Sequence, residues 1–369
     1  MKKHIVIMLC IVLAAVLCIS CGGYEVTEIP STAEKASVVV DKKVGVLMPN
    51  KTDERWEHDA ENIQKILEQD GYQVEVRFAE NNPYIQINQI EGLLKDNVDC
   101  LVISAVESEK LQEVLEKAKE KNVSVIAYDR MVMDTDAVSY YATFDNKNVG
   151  VSIGTYIKEK ENLEQLRKEG KHRTIEFFMG SPDDNNAKLV YQGVMEVLGE
   201  YLQDGTLVCV SGKVEFEDTC IMQWSKSLAE KNANQILNND YKDQKLDIAC
   251  CANDAIGSGV ISSLEKEGYS KEDWPLITGQ DAGVEAVKNI LSGKQSMSVY
   301  KDTRVLADKC ATMVKAVLEG TVPEINYAEG YDNGKMKVPS YLCTSVVVDK
   351  ENYKEILVDG GYYTESQLK

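Results

Sequence analysis

Asp129 and Arg130 follow the apolar stretch VSVIAY (123–128) without a break. A carboxylate beside a guanidinium sets an acceptor next to a donor, which suits two neighbouring hydroxyls of one ligand. Similar residues stand where other apolar runs stop: Asn50, Asp145-Asn146, Ser181 with DDNN just beyond, Asn253-Asp254, Gln280-Asp281 and Lys301-Asp302. Any one of them could be a turn or a helix cap. Seven such ends, rich in amides and carboxylates, point instead to a shared polar site.

What those groups would bind follows from their donors and acceptors. A monosaccharide presents a ring of hydroxyls, each donor and acceptor at once, and a flat C–H face. Carboxylates and amides accept from the hydroxyls, while Arg, Lys and amide NH₂ groups donate to them. The C–H face calls for an aromatic plate, and the chain has three tryptophans, Trp56, Trp224 and Trp274. Trp56 follows Arg55 shortly after the first apolar run, and Trp224 lies in the second half of the chain. One plate from each side would clamp a ring; on spacing alone, core packing accounts for each Trp equally well. No G-x-G-x-x-G or G-x-x-x-x-G-K-[ST] occurs, so nucleotide phosphates are not indicated. No calcium loop, C-x-x-C or Cys/His cluster occurs either, and His4, His58 and His172 are scattered, so no metal or cofactor is expected.

The elements that must carry these residues show in the hydropathy pattern. The 369 residues are 44% hydrophobic and 27% charged, which suits two or more globular domains. A net charge of −19 argues against a nucleic-acid partner. Strand-like and helix-like stretches alternate. KVGVLMP (43–49) precedes a helix with Trp56, Ala60, Ile63 and Leu67 on one face; YQVEVRFA (72–79), CLVISAV (100–106), VSVIAY and YYATFD (140–145) follow. TIEFFMG (174–180), TLVCVS (206–211), LDIACCAN (246–253), PLITGQD (275–281) and MSVYKD (297–302) continue the series. Such alternation means βαβ units, and so many strands predict two doubly wound parallel-sheet domains. A closed eight-fold barrel is the competing architecture. In open parallel sheets ligands bind beyond the carboxyl ends of the strands, where the polar residues above fall.

The N-terminus is of another kind. Lys2 and Lys3 precede the apolar run Ile5 to Ile19, which ends in CISC (18–21). Residues 1–20 read as an export signal, with an uncleaved anchor as the alternative. The CISC ending resembles a bacterial lipobox, with Cys21 as the lipidated residue and 21–42 as a tether; Cys18 stands where Leu is usual. Cys100, Cys209, Cys250 and Cys343 fall in strand-like runs and Cys310 in a helical one, where thiols act as small buried hydrophobes rather than a disulfide framework.

From about Lys43 to Lys369 the chain resembles the periplasmic-binding-protein-like sugar receptors, the solute-binding components of ATP-driven importers. The resemblance rests on ERW (54–56), QINQIEGLL (86–94), VIAYDRM (125–131), YYATFDN (140–146) and GSPDDNNA (180–187). NDAIGSGVISSL (253–264), GQDA (279–282), YKDTR (300–304) and VDGGYYTESQLK (358–369) extend it. Within that family it is similar to the xylose-binding and, more closely, the multiple-sugar-binding receptors. The resemblance implies two α/β lobes, 43–143 with 303–341 and 144–302 with 342–369, joined by a three-segment hinge around an enclosed sugar. It implies that Arg55, Asp129 and Arg130 bind from the first lobe, with Trp56 stacking on the ring. Asp184, Asn186, Asn253, Asp281 and Lys301 would bind from the second lobe or the hinge, with Trp224 on the opposite ring face. Asp145, beside a hinge crossing, would contact ligand or organise the hinge. A monomeric receptor outside the cytoplasm, docking on a membrane permease or signalling to a membrane sensor, is the implied biology. A glycoside hydrolase shares carboxylates and stacking aromatics, and a sugar-sensing regulator shares the two-lobe fold; the latter carries a helix-turn-helix where this chain has its export signal.

Overall fold

The computed structural model describes residues 41–369. The expected export signal, Cys21 and all of the expected tether but Asp41 and Lys42 lie outside the described residues. Among those described, no helix is long and apolar enough to cross a membrane.

Two sheets carry the chain. The first runs β1 (Lys43–Met48), β2 (Gln73–Phe78), β3 (Cys100–Ile103), β4 (Ser124–Tyr128) and β5 (Tyr140–Phe144). The second runs β6 (Arg173–Phe178), β7 (Leu207–Val208), β8 (Ile248–Cys251), β9 (Leu276–Ile277) and β10 (Met297–Tyr300). The chain then returns to the first sheet for β11 (Tyr327–Asp332) and β12 (Lys337–Cys343), and crosses once more to pair β13 (Val346–Asp349) with β10. The first sheet has the order β11-β12-β5-β4-β3-β1-β2, parallel except at the β11–β12 hairpin. The second has the order β7-β6-β8-β9, and a parallel bridge from Gln280 to Val299 joins β10 to its edge. Both sheets are therefore open, and each reverses direction beside its first strand, the crevice where doubly wound folds bind ligands. No closed barrel forms among these residues.

Strand residues alternate between two apolar layers because the side-chain period is two. Val44, Val46 and Met48 of β1 pack with Trp56, Ala60, Ile63 and Leu67 of the helix Glu54–Gln69 and with Leu306, Cys310 and Val314 of the helix Thr303–Leu318. Leu47 faces the other way, onto Ile90 and Leu93 of the helix Pro83–Lys95. The thiols of Cys100, Cys209, Cys220, Cys250, Cys251, Cys310 and Cys343 are all free. Burial pushes those of Cys100 and Cys250 up to about 12, where they are inert at neutral pH.

Three differences from the sequence reading have physical causes. TLVCVS yields a strand of only two residues, because Glu176, fully buried on β6, accepts from the Ser211 N–H and hydroxyl and from Tyr241 and draws the chain out of the sheet. The hairpin β11–β12 escaped notice because it is an edge: β11 is mostly exposed, so its apolar alternation is weak, and Pro339 interrupts the run of β12. β13 has only four residues and is only partly buried.

The helices Asn146–Lys160 and Asn185–Gln203, which each start at the crevice, cross at two glycines. A Cβ on Gly150 would sit 2.0 Å from the Val190 carbonyl oxygen, and one on Gly193 would sit 2.0 Å from that of Lys147. Gly193→Ala is expected to lower stability by about 1–3 kcal/mol in urea denaturation, as overpacking does. Gly199→Ala, on the same helix with nothing within 4 Å, should be neutral or stabilise by up to about 1 kcal/mol.

Candidate functional site

The carboxyl ends of both sheets open onto one cavity of about 540 Å³. Arg55, Trp56, Asp129, Arg130, Asp184, Asn186, Trp224, Asn253, Asp281 and Lys301 all border it. Asp145 does not. Its carboxylate accepts from the Asn148 N–H at 3.0 Å and caps the helix it precedes, while the next residue, Asn146, turns into the cavity. A strand-end Asp with that spacing satisfies an orphan helix N–H first.

Charge pairing organises the rest. The Arg55 guanidinium, from the first turn of its helix, meets Asp59 one turn on (3.3 Å), Asp129 at the end of β4, and Asp281 just past β9 (3.1 Å). Asp281 also takes the Lys301 ammonium at 2.9 Å. Arg130 pairs through Nε with Asp184 at 3.0 Å and donates to the Ala105 carbonyl at 3.3 Å. Two of these pairs, Arg55–Asp281 and Arg130–Asp184, connect the first sheet's side to the second's. So do the Asn186 amide, which donates to the Asp129 carbonyl at 2.9 Å, and the Ser108 N–H, which donates to the Asp183 carbonyl at 3.0 Å.

Backbone geometry fixes these groups. Asp129, Trp224 and Asp281 have φ of 57°, 55° and 93°, a region that costs side-chain-bearing residues energy and is found where structure is imposed. The Asp129 carbonyl is tied down by Tyr141 (2.6 Å) and Thr143 (2.9 Å) as well as Asn186. Asp184 and Asn253 cap their helices, accepting from the Asn186 and Ile256 N–H groups at 3.0 Å, and still face the cavity. Trp224 donates from its indole to Asp184 at 3.2 Å and lies so flat on the backbone that a Cβ at Gly180 would be 2.2 Å from its ring. Trp56 is 4% exposed, with the Arg55 and Arg130 guanidinium carbons 4.6 and 5.2 Å from its ring centroid.

Burial acts on Asp129, Asp184, Asp59 and Asp254, and their neighbours decide the outcome. Burial would raise Asp129, but Arg55 and Lys301 hold it below the usual carboxylate range. Asp184 is raised by burial in spite of Arg130. Burial lifts Asp59 to about 6 against the pull of Arg55 and its 2.7 Å bond from Tyr128. Asp254 reaches about 7, through burial and then Asp281, although Gln295, Ser298 and the Gly283 N–H donate to it. Gln280 presents the opposite problem: its buried Oε1 has no partner among the described residues. Such a set of fixed acceptors and donors, flanked by indole rings, can hold a small polyhydroxylated molecule. No group of three or more His, Cys, Asp or Glu able to hold a metal occurs among the described residues.

Asn146, Asp254 and Gln280 were visible as strand ends in the sequence, yet each was passed over for the neighbour that matched a motif. Thr52 and Asp53 gave no signal. Asp59 gave a weak one, the i,i+4 spacing from Arg55.

A family model described as a periplasmic binding protein domain matches residues 44–321. The multiple sugar-binding periplasmic protein of Azospirillum brasilense is 41% identical, over 92% of this chain and 95% of its own. The D-xylose-binding periplasmic protein of Escherichia coli is 33% identical, over 88% and 92%. The crystal structure of an ABC transporter solute-binding protein from Clostridium phytofermentans, with β-D-glucose bound, superposes with a TM-score of 0.86 at 46% identity, covering 89% of this chain and 100% of that one.

The raised Asp254 makes acid stabilising. Its folded value of about 7 exceeds the unfolded one of about 3.9, so its contribution is complete below about pH 4 and lost as pH rises through 7. Urea denaturation should show Asp254→Asn losing on the order of 2–3 kcal/mol of the fall in stability that the unmodified protein shows between about pH 5 and pH 8.

Proposed function

The chain belongs to the periplasmic binding protein family, and on that premise we propose that it is an extracytoplasmic receptor for an aldose monosaccharide. The observation that carries this reading is the convergence of Arg55, Arg130 and Lys301, their carboxylate partners and two tryptophans at the facing ends of two open sheets.

The residues have distinct tasks in this reading. Asp129, Asp184 and Asp281 accept from ring hydroxyls, and Arg55, Arg130, Lys301, Asn186 and Asn253 donate. Trp56 and Trp224 cover the two C–H faces. The lobes 43–143 with 303–341 and 144–302 with 342–369 hinge at three crossings, near 144, 302 and 342. Sugar favours the closed arrangement because only there do both lobes reach it. No chemical step is involved. The closed surface then docks on a membrane permease of an ATP-driven importer, and a lipid at Cys21 keeps the monomer near it by raising the effective concentration. A second output, a membrane sensor that reads the closed form, is compatible with the same surface. The relatives' names make xylose and glucose the first sugars to try.

The test is calorimetry on protein unfolded and refolded to strip bound ligand, titrated with a panel of aldoses. Binding with a Kd in the micromolar range, about −8 kcal/mol, is expected for at least one. Asp129→Ala should weaken it by about 2 kcal/mol or more, roughly thirtyfold, because it removes a charged acceptor for the sugar and one of the three carboxylates around a buried guanidinium. A folded protein silent to every aldose would sink the reading, and release of product from an aryl glycoside would replace it with hydrolysis.

A further inference from the structure

The cavity is larger than one sugar requires. A hexose has roughly twelve heavy atoms and, close-packed as organic crystals are, fills well under half of the 540 Å³. The ion-paired groups described above account for one part of the lining. The other part differs in chemistry. Ala255 and Ser258 come from the helix Asp254–Lys266, and Val284, Ala286 and Lys288 from the helix Val284–Ser292, with Thr52 facing them from the loop after β1.

This second part has its own polar demand. Ser258 is 4% exposed and borders the cavity, yet its hydroxyl has no hydrogen-bond partner among the described residues. The hydroxyl itself is open to the cavity, where it can donate to or accept from a ligand or water. Ala255, Val284 and Ala286 supply a small apolar wall. Lys288, exposed at the outer end, has no ion pair among the described residues. Thr52 also lines a further hollow of about 530 Å³, together with Phe78.

Building on the receptor reading, we propose that this part is a second subsite, which takes the second ring of a disaccharide or glycoside whose first ring lies among the ion-paired groups. The wall of Ala255, Val284 and Ala286 meets the C–H face of that ring. Ser258 Oγ bonds one of its hydroxyls, and Lys288 and solvent meet the rest. The two parts divide the ligand as the lining divides: charge-assisted bonds for the ring that must be oriented, looser contact for the ring that follows.

Calorimetry with glucose, xylose, cellobiose, xylobiose and maltose tests this. At least one disaccharide is expected to bind within about tenfold of its monosaccharide. Val284→Trp should then weaken the disaccharide at least tenfold and leave the monosaccharide within about twofold. Thr52→Trp, in an exposed loop on the opposite wall, repeats the block should the first variant fail to fold. Monosaccharide binding with no disaccharide within a hundredfold overturns the second subsite and leaves the receptor standing. Disaccharide affinity untouched by both tryptophans likewise overturns it. Silence to all five, with other aldoses silent too, removes the receptor reading and the subsite with it.

Discussion

A buried guanidinium cannot be left without counter-charge, and Arg55 is such a group. Its partners come from three places: its own helix, the end of β4 and the loop after β9. The last of these belongs to the other sheet, so satisfying Arg55 fully requires the two halves of the molecule to face each other. From Asp281 the pairing passes to Lys301, which lies where the chain returns from the second sheet to the first. The same network that makes the site polar therefore also relates the sheets. Removing one member leaves a charge in a medium where it is poorly solvated, which is why such networks respond as units rather than as a sum of pairs.

The acidic side chains divide by what they face. Asp129 is held ionised by the cations around it, whereas Asp59 and Asp254 are pushed up by burial that their partners do not offset. The cavity thus borders a carboxylate that only accepts, Asp129, and one raised to about 7, Asp254. For a ligand whose hydroxyls can do either, that mixture fixes which way each hydroxyl must point.

The strand ends of this protein could be read from its sequence because parallel strands buried on both faces are nearly continuous apolar runs, and a charged residue after one stands out. That made Asp129-Arg130, Asn253-Asp254 and Gln280-Asp281 legible. What the pattern does not encode is which of two adjacent polar residues turns inward. At 145–146 the backbone uses Asp145 as a cap and presents Asn146; at 253–254 the cap, Asn253, and its successor both reach the cavity. Capping and binding draw on the same residue types, and only the path of the helix separates them. The antiparallel edge β11–β12 was illegible for the reason edges usually are, since exposure and Pro339 remove the alternation that marks a half-buried strand.

The interleaving of the chain has a further consequence, for the order in which the molecule can be completed. The first sheet receives a covering helix, Thr303–Leu318, and two strands, Tyr327–Asp332 and Lys337–Cys343, only after β6 to β10 have been traversed. Leu306, Cys310 and Val314 are what cover Val46 and Val102. Until residue 343 is available, the half that begins first in sequence lacks part of one apolar layer. The half made second, β6 to β10, needs only β13 to finish. A nascent or truncated chain thus exposes its N-terminal sheet longest, and contacts this distant in sequence slow folding. A chain of this topology is best served by folding after it is complete.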